Sequence, residues 1–251
     1  MKFLKKIIKK IFFHPLPIRQ RIRRKIRNKD KILNDYFKGD IYILGGPFKG
    51  MLYSDTAYGS SILPKIFGTY EQLLNPWVEQ AINKDYKTII DIGCAEGYYS
   101  SGFAMRSRNS KIYAYDTNKK ALETNKEILL KNKIENVVLK EECTIEELEN
   151  MTDDSTLIFC DIEGEEINLI DPNKSKKLLE ADYIIETHDF KLEDTTERLI
   201  ERFKKTHNIE VVSGDEREIP EDVAIKNKKD IDYILDEGRP ANMKWIKMMK
   251  K

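Results

Sequence analysis

Cysteine is scarce in this chain. The 251 residues contain three, Cys94, Cys143 and Cys160, and no two of them form a C-x-x-C pair. An odd, scattered set argues against a disulfide scaffold and against a structural zinc site, and it fits a reducing cytosol. All three lie in or beside apolar runs, where a thiol packs as a small hydrophobe. Long internal repeats and low-complexity linkers are missing as well. The amino-terminal stretch "MKFLKKIIKKIFFH" is too short and too charged to span a bilayer. It also lacks the unbroken apolar segment and small-residue cleavage site of a secretory signal.

What the chain does have is charge, unevenly placed. Residues 1–31 carry thirteen Lys/Arg and one Asp, whereas the remaining 220 residues hold 31 basic and 42 acidic side chains. A cationic arm therefore precedes an acidic body. In the arm, Phe3, Leu4, Ile7, Ile8, Ile11 and Phe12 recur at helical spacing, with Lys2, Lys5, Lys6, Lys9 and Lys10 on the other face. Pro15 and Pro17 break the pattern, His14 sits beside the break, and a second basic run, "IRQRIRRKIRNKDK", follows. Such a helix can lie in the headgroup plane of an anionic membrane, each cation near the surface adding on the order of 1 kcal/mol. It can also pack its apolar stripe on the body or a partner, or hold RNA phosphates.

Residues 41–58, "IYILGG" and "KGMLYSD", read as short strands with glycine turns, and "LPKIFGTYEQLLNPWVEQAINKDY" as a helix interrupted at Pro76. From residue 88 strands and helices alternate. The strands are "TIIDIG", "KIYAYD", "NVVLKEEC", "STLIFCDI", "ADYIIETH" and "IEVVSG", with a last one expected in "MKWIKMMK". Between them lie "YYSSGFAMRS", "NKKALETNKEILLKN", "TIEELEN" with a Thr144–Glu147 capping box, residues 165–180 with a break near Pro172, and "LEDTTERLIERFKKTH", whose last residue is His207. This alternation predicts an α/β protein with a doubly wound, mostly parallel seven-stranded sheet, both faces covered, preceded by a helical arm.

"DIGCAEG" closes the first strand of that series and opens a helix. Small residues at Gly93, Ala95 and Gly97 let a ligand approach bare backbone. The spacing is neither G-x-G-x-x-G nor G-x-x-x-x-G-K-[ST], so a phosphate cradle is not expected. The next strand ends in Asp116, 25 residues after Asp91, and a carboxylate there can accept bonds from two ribose hydroxyls. The fourth strand ends in "FCDIEGEE" and the fifth in "IIETHDF", which brings Asp161, Glu163 and Glu166 to one rim with Glu186, His188 and Asp189. A histidine there can take a hydroxyl proton, or carboxylates there can hold a divalent ion.

"IIDIGCAEGYYSSGFA … IYAYD" resembles the cofactor site of class I S-adenosylmethionine-dependent methyltransferases, over roughly residues 75–215. The resemblance implies a Rossmann-like methyltransferase domain over 76–251, after a basic amphipathic arm at 1–31 and a cap or substrate-side segment at 32–75. It implies that Asp91, Gly93, Ala95 and Gly97 cradle the methionyl part and that Asp116 holds the ribose. Ala95 stands where that family usually has glycine. Glu142 and Cys143 match the positions that touch the adenine. "DIEGEE" and "IIETH" further resemble the FkbM-type enzymes, with their D-x-E-G-x-E and E-x-H patterns at Asp161, Glu163, Gly164, Glu166, Glu186 and His188. That narrower likeness implies O-methylation of a saccharide or glycolipid precursor. His188, Asp161, Glu163 and Glu186 are then the catalytic candidates, and Asp161, Glu186 and Asp189 the candidate ligands of a divalent metal. The N-P-P-[YF] signature of amino-group methyltransferases is absent, which argues against a nucleic-acid acceptor. RNA methylation and a non-catalytic cofactor-binding scaffold are the competing functions. The expected place is the cytoplasm, at the inner face of the membrane if the arm binds lipid. Tyr70, Glu71, Tyr98, Tyr99 and Arg239 are further candidates for lining the site.

Overall fold

The computed structural model describes residues 28–214, 216–239 and 243–251. Residues 28–36 are helical (α1). The rest of the basic arm, with His14, lies outside the described residues. The elements that follow are α2 (Ile62–Phe67), α3 (Asn75–Lys84), β1 (Thr88–Ile92), α4 (Tyr98–Arg106), β2 (Lys111–Tyr115), α5 (Lys119–Lys131) and β3 (Val137–Lys140). Then come α6 (Ile145–Met151), β4 (Thr156–Cys160), α7 (Glu166–Leu169), β5 (Asp182–Thr187), α8 (Thr195–Phe203), β6 (His207–Ser213), α9 (Ile231–Ile234) and β7 (Lys244–Lys250).

The strands form one seven-stranded sheet in the order β3-β2-β1-β4-β5-β7-β6. The first five run parallel, and β7 is antiparallel to both β5 and β6. The expected doubly wound sheet is therefore present. The order reverses beside β1, which opens a crevice at the carboxyl ends of β1 and β4.

Alternation along the central strands divides the core in two. Ile89, Leu157 and Phe159 pack with Phe48, Trp77 and Phe103, while Ile90, Ile158 and Cys160 pack with Tyr183, Leu199 and Phe203. Successive strand residues point to opposite faces, so these clusters cover the two sides of the sheet. The first cluster also contains Ile32, Leu33, Phe37 and Ile43, so residues ahead of β1 share the core of the sheet.

Local chemistry explains most boundaries. Asn118 caps α5 through the amides of Lys120 and Ala121, and Thr144 with Glu147 closes the expected capping box on α6. Pro76 stands in the first turn of α3. The helix thus begins at this proline, which needs no N–H there, instead of being interrupted by it. Residues 41–58 differ from the expected strands. They form a turn with one isolated bridge, Tyr42 to Leu52. Around it Ile43 donates to Met51, Gly50 to Ile43 and Tyr53 to Ile41, and the positive φ of Gly46 and Gly50 turns the chain between them. β3 stops at Lys140, three residues short of Cys143. α8 stops at Phe203, and His207 begins β6 instead of ending a helix. Its ring is buried, with Nε2 2.8 Å from the Ala181 carbonyl, and burial lowers its pKa.

Candidate active site

A cavity of about 480 Å³ opens at the carboxyl ends of β1, β2, β4 and β5. Asp91, Gly93, Ala95, Asp116, Asp161, Glu163, Glu186 and His188 all line it. The sequence-predicted residues Glu142, Cys143 and Asp189 do not, and Gly97 packs behind the loop.

The wall formed by the glycine loop is mostly backbone. Gly93 and Cys94 donate their amides to the Tyr115 carbonyl at 2.8 and 2.9 Å, which ties the loop to the end of β2. Gly93 has φ +86, and a Cβ there would run into the carbonyl oxygen of Asp161. Gly97 has φ +95, and a Cβ there would run into the Asn125 side chain. Ala95 holds φ +45 despite its methyl group, a conformation that costs roughly 1–2 kcal/mol outside glycine. Its amide donates to Asp116 Oδ2 at 2.8 Å, and Asp116 Oδ1 accepts the Asn118 amide at 2.7 Å. Asp91 is 2% exposed, and its Oδ2 has no hydrogen-bond partner among the described residues. Burial pushes its carboxyl up to about 7, against the bonds from Ser100 that favour ionisation.

Glu142 and Cys143 fall in the connection beyond the short β3. Glu142 is exposed there, and Cys143 packs toward the second core cluster.

The opposite wall is built from side chains. The Asp161 amide donates to the Ile92 carbonyl at 2.9 Å, so β4 delivers its carboxylate beside the glycine loop. Glu163 takes φ +59 and turns the chain, while its half-exposed carboxylate pairs with Lys191. Glu166, fully buried, holds this turn from inside. Its Oε1 accepts the amides of Ile162 at 3.2 Å and Gly164 at 3.0 Å and meets His188 Nδ1 at 2.8 Å. Oε1 already accepts two amides and so acts as an acceptor toward the ring, which places the proton on Nδ1 and the lone pair of the neutral ring at Nε2. Nε2 stands 3.6 Å from Asp161 Oδ1, 3.7 Å from Glu163 Oε2 and 3.9 Å from Glu186 Oε1. Burial alone would lower the His188 pKa, but the Glu166 hydrogen bond and the surrounding carboxylates raise it on balance. Burial, with the charge of Glu71, pushes Asp161 up to about 6 against the pull of His188 and Arg239. Burial beside Asp161 and Glu71 raises Glu186 as well.

Asp189 points elsewhere. Its two oxygens accept the amide and hydroxyl of Thr196 at 2.8 Å each, and Lys244 Nζ lies 2.9 Å away. The side chain secures the first turn of α8. Within the candidate metal set it is His188 that joins Asp161 and Glu186, with one donor atom from each of the three within 4.8 Å of the others.

Distant segments complete the cavity. Arg239 is mostly buried, bonded to Glu186 and Glu71, with Tyr70 Oη at 2.6 Å and Glu237 Oε2 at 2.9 Å. Tyr99 donates to Glu71 Oε2 at 2.5 Å. Sequence reasoning missed Glu237, Lys65 and Glu96. Glu96 is fully buried between the small residues of the loop and faces away from the cavity. It takes bonds from Tyr53 Oη at 2.7 Å, the Tyr58 amide at 2.9 Å and Lys65 Nζ at 2.5 Å. Burial opposes its charge, but Lys65 holds its pKa below the usual value. The signal available was a lone lysine inside the apolar run "ILPKIF" and an acid enclosed by alanine and glycine.

A family profile described as a methyltransferase domain matches residues 83–239, more than half of the chain, and the chain belongs to that family. Together with the sheet order, this makes it a class I S-adenosylmethionine-dependent methyltransferase. Similar solved structures include the precorrin-6y C5,15-methyltransferase of Geobacter metallireducens, 16% identical over 70% of this chain and 89% of that one, TM-score 0.47. An rRNA methylase of Streptococcus thermophilus is 12% identical over 71% and 96%, TM-score 0.49. A SAM-dependent O-methyltransferase of Thermotoga maritima is 13% identical over 72% and 66%, TM-score 0.46. No curated protein matches the chain.

Proposed function

We propose that this methyltransferase acts on a hydroxyl of a saccharide or glycolipid precursor and is of the FkbM type. The observation that carries the reading is the placement of His188. Glu166 pins its Nδ1, and its Nε2 lies 3.6 Å from Asp161 in a cavity that Asp91, Gly93 and Ala95 also line.

The residues fit the cofactor. Gly93 and Ala95 offer a wall without bulk, the unpartnered Asp91 Oδ2 suits an ammonium group, and Asp116 stands where two ribose hydroxyls would be held. S-adenosylmethionine supplies an already activated methyl group, so the protein has chiefly to align the acceptor and receive its proton. In the cation-free protein Nε2 of His188 receives that proton, and Glu166 stabilises the resulting imidazolium. Asp161 and Glu186 shape the pocket around the acceptor oxygen. Arg239, fixed by Glu71, Glu186 and Glu237, forms the roof with Tyr70.

The arm, residues 1–31, is proposed to hold the enzyme at the anionic inner face of the cytoplasmic membrane. Among the described residues no helix is long and apolar enough to cross a membrane. A chain beginning at residue 28 should leave vesicles rich in anionic lipid that retain the full chain. Equal retention of both chains removes the arm from this role.

The test of the acceptor is to incubate the enzyme with labelled S-adenosylmethionine and cell extract, then separate lipid, glycan, RNA and protein. Label is expected in glycan or glycolipid, and His188→Ala should lower it by about 10²–10⁴-fold, the usual share of a general base. Label confined to RNA, or undiminished turnover by His188→Ala, overturns the reading.

A further inference from the structure

We propose that Asp161, Glu186 and His188 form a divalent-cation site on the acceptor wall of the cavity. What the cation does there rests on the hydroxyl-methylation reading, but the site stands on separate observations.

The three side chains each present one donor atom, all within 4.8 Å of one another, and all three line the cavity. Glu186 is 2% exposed, yet its Oε2 has no hydrogen-bond partner among the described residues, since Arg239 bonds Oε1. Asp161 Oδ1 is likewise buried and without a hydrogen bond. Buried carboxylate oxygens are ordinarily satisfied, so these two, on residues that line the cavity together with His188, point to a positive partner among them. Arg239 meets Glu186 Oε1 and leaves both of these oxygens unmet. The cations lining the cavity are already engaged, Lys65 by Glu96, Lys191 by Glu163, and Arg239 by Glu71, Glu186 and Glu237.

The fourth observation is Glu166. Metal-ligating histidines almost always give their second ring N–H to a carboxylate or carbonyl, which fixes the tautomer and turns the free lone pair to the ion. Glu166 does this for His188, leaving Nε2 toward Asp161 and Glu186. Two carboxylate oxygens and one imidazole nitrogen form a borderline donor set. It favours a first-row ion such as Mn²⁺ over Ca²⁺, and it lacks the thiolates that would select a softer metal. Three protein ligands leave coordination positions open for an acceptor hydroxyl. A hydroxyl bound there loses its proton more readily, and the proton passes to solvent. In the loaded protein His188 is thus a ligand, and its action as a base belongs to the cation-free state.

The test uses the full chain, freed of metal by chelator dialysis and titrated with Mn²⁺ alone. Electron paramagnetic resonance reads the free ion and calorimetry reads the heat. One site per chain is expected. Asp161→Asn and His188→Gln should each weaken it at least about tenfold, and Glu166→Gln, a positioning change, by about 10–100-fold. S-adenosylmethionine binding to each variant without Mn²⁺ shows that the fold is intact. Absence of a Mn²⁺ site in the wild-type chain, or a site unchanged in folded Asp161→Asn and His188→Gln, overturns the proposal. Methylated glycan without Mn²⁺ binding sinks the cation site and spares the hydroxyl reading. Mn²⁺ binding with label confined to RNA does the reverse.

Discussion

The two walls of the cavity are built on different principles. The glycine-loop wall, proposed to hold the cofactor, is built from residues 91–97 with Asp116, and it works through main chain and small side chains. The opposite wall, proposed to face the acceptor, gathers Tyr70, Glu71, Asp161, Glu186, His188, Glu237 and Arg239 from across the chain, and it works through charge. The first is specified by steric exclusion, because a Cβ at Gly93 or Gly97 has nowhere to go. The second is specified by mutual compensation, in which each ion is tolerated because the others are in place. The walls should therefore fail differently: the first wherever bulk is added, the second according to how deeply the altered charge is buried.

Gly93→Val gives the largest effect expected. Its side chain would displace the Asp161 carbonyl and force a β-branched residue into positive φ, so calorimetry should register no heat with S-adenosylmethionine. Retained binding would mean that the loop does not touch the cofactor. Glu96→Ala comes next. Lys65, 3% exposed, would lose its partner, and removing one member of a buried pair costs about 3–5 kcal/mol in denaturant titration. A loss below 1 kcal/mol would show that water reaches this pair.

The third expected outcome concerns pH. The Asp91 carboxyl, raised to about 7 by burial, is protonated below that value and then no longer offers a charge to an ammonium group. Cofactor affinity should fall as pH drops below about 7, approaching tenfold per pH unit, and level off above it. Asp91→Asn should flatten the profile, and an unchanged profile in that variant would assign the dependence elsewhere. The sign for folding is opposite. The folded chain retains a proton that the unfolded chain releases near pH 4, so this burial lowers stability as pH rises toward about 7. The smallest effect belongs to Glu163→Gln. This carboxylate is 62% exposed and pairs with Lys191 at the surface, so stability should change by about 0–1 kcal/mol, the range of exposed ion pairs. A larger loss would place Glu163 within the compensated set.

The same contrast sets what could be read from sequence. The strands β1, β2, β4 and β5 and the loop at 93–97 carry local signals, apolar runs and small residues, and they appear where expected. Asp161 and Glu186 were legible as acids at strand ends. The engagement of Arg239 with Glu71 was not, because 168 residues separate them and nothing local to either marks the pairing. Glu142 and Cys143 lie in the connection beyond β3, which ends at Lys140, and neither lines the cavity. Asp189 was misplaced because the chain leaves β5 by turning into α8, where its carboxylate meets the free groups of Thr196. His207 reads as the end of a basic helix, but "HNIEVVS" pairs fully with β7, and tertiary pairing prevailed over local pattern.

The position of β7 bears on how the protein can be divided. The family profile stops at residue 239, but residues 244–250 lie between β5 and β6 and pair with both. A fragment cut to the limits of similarity would take the middle strand out of a trio and bare the hydrogen-bonding edges of two others. Unpaired edges of that kind recruit strands from neighbouring molecules. Such a fragment should precipitate, because the limits of the profile fall short of the sheet that folds.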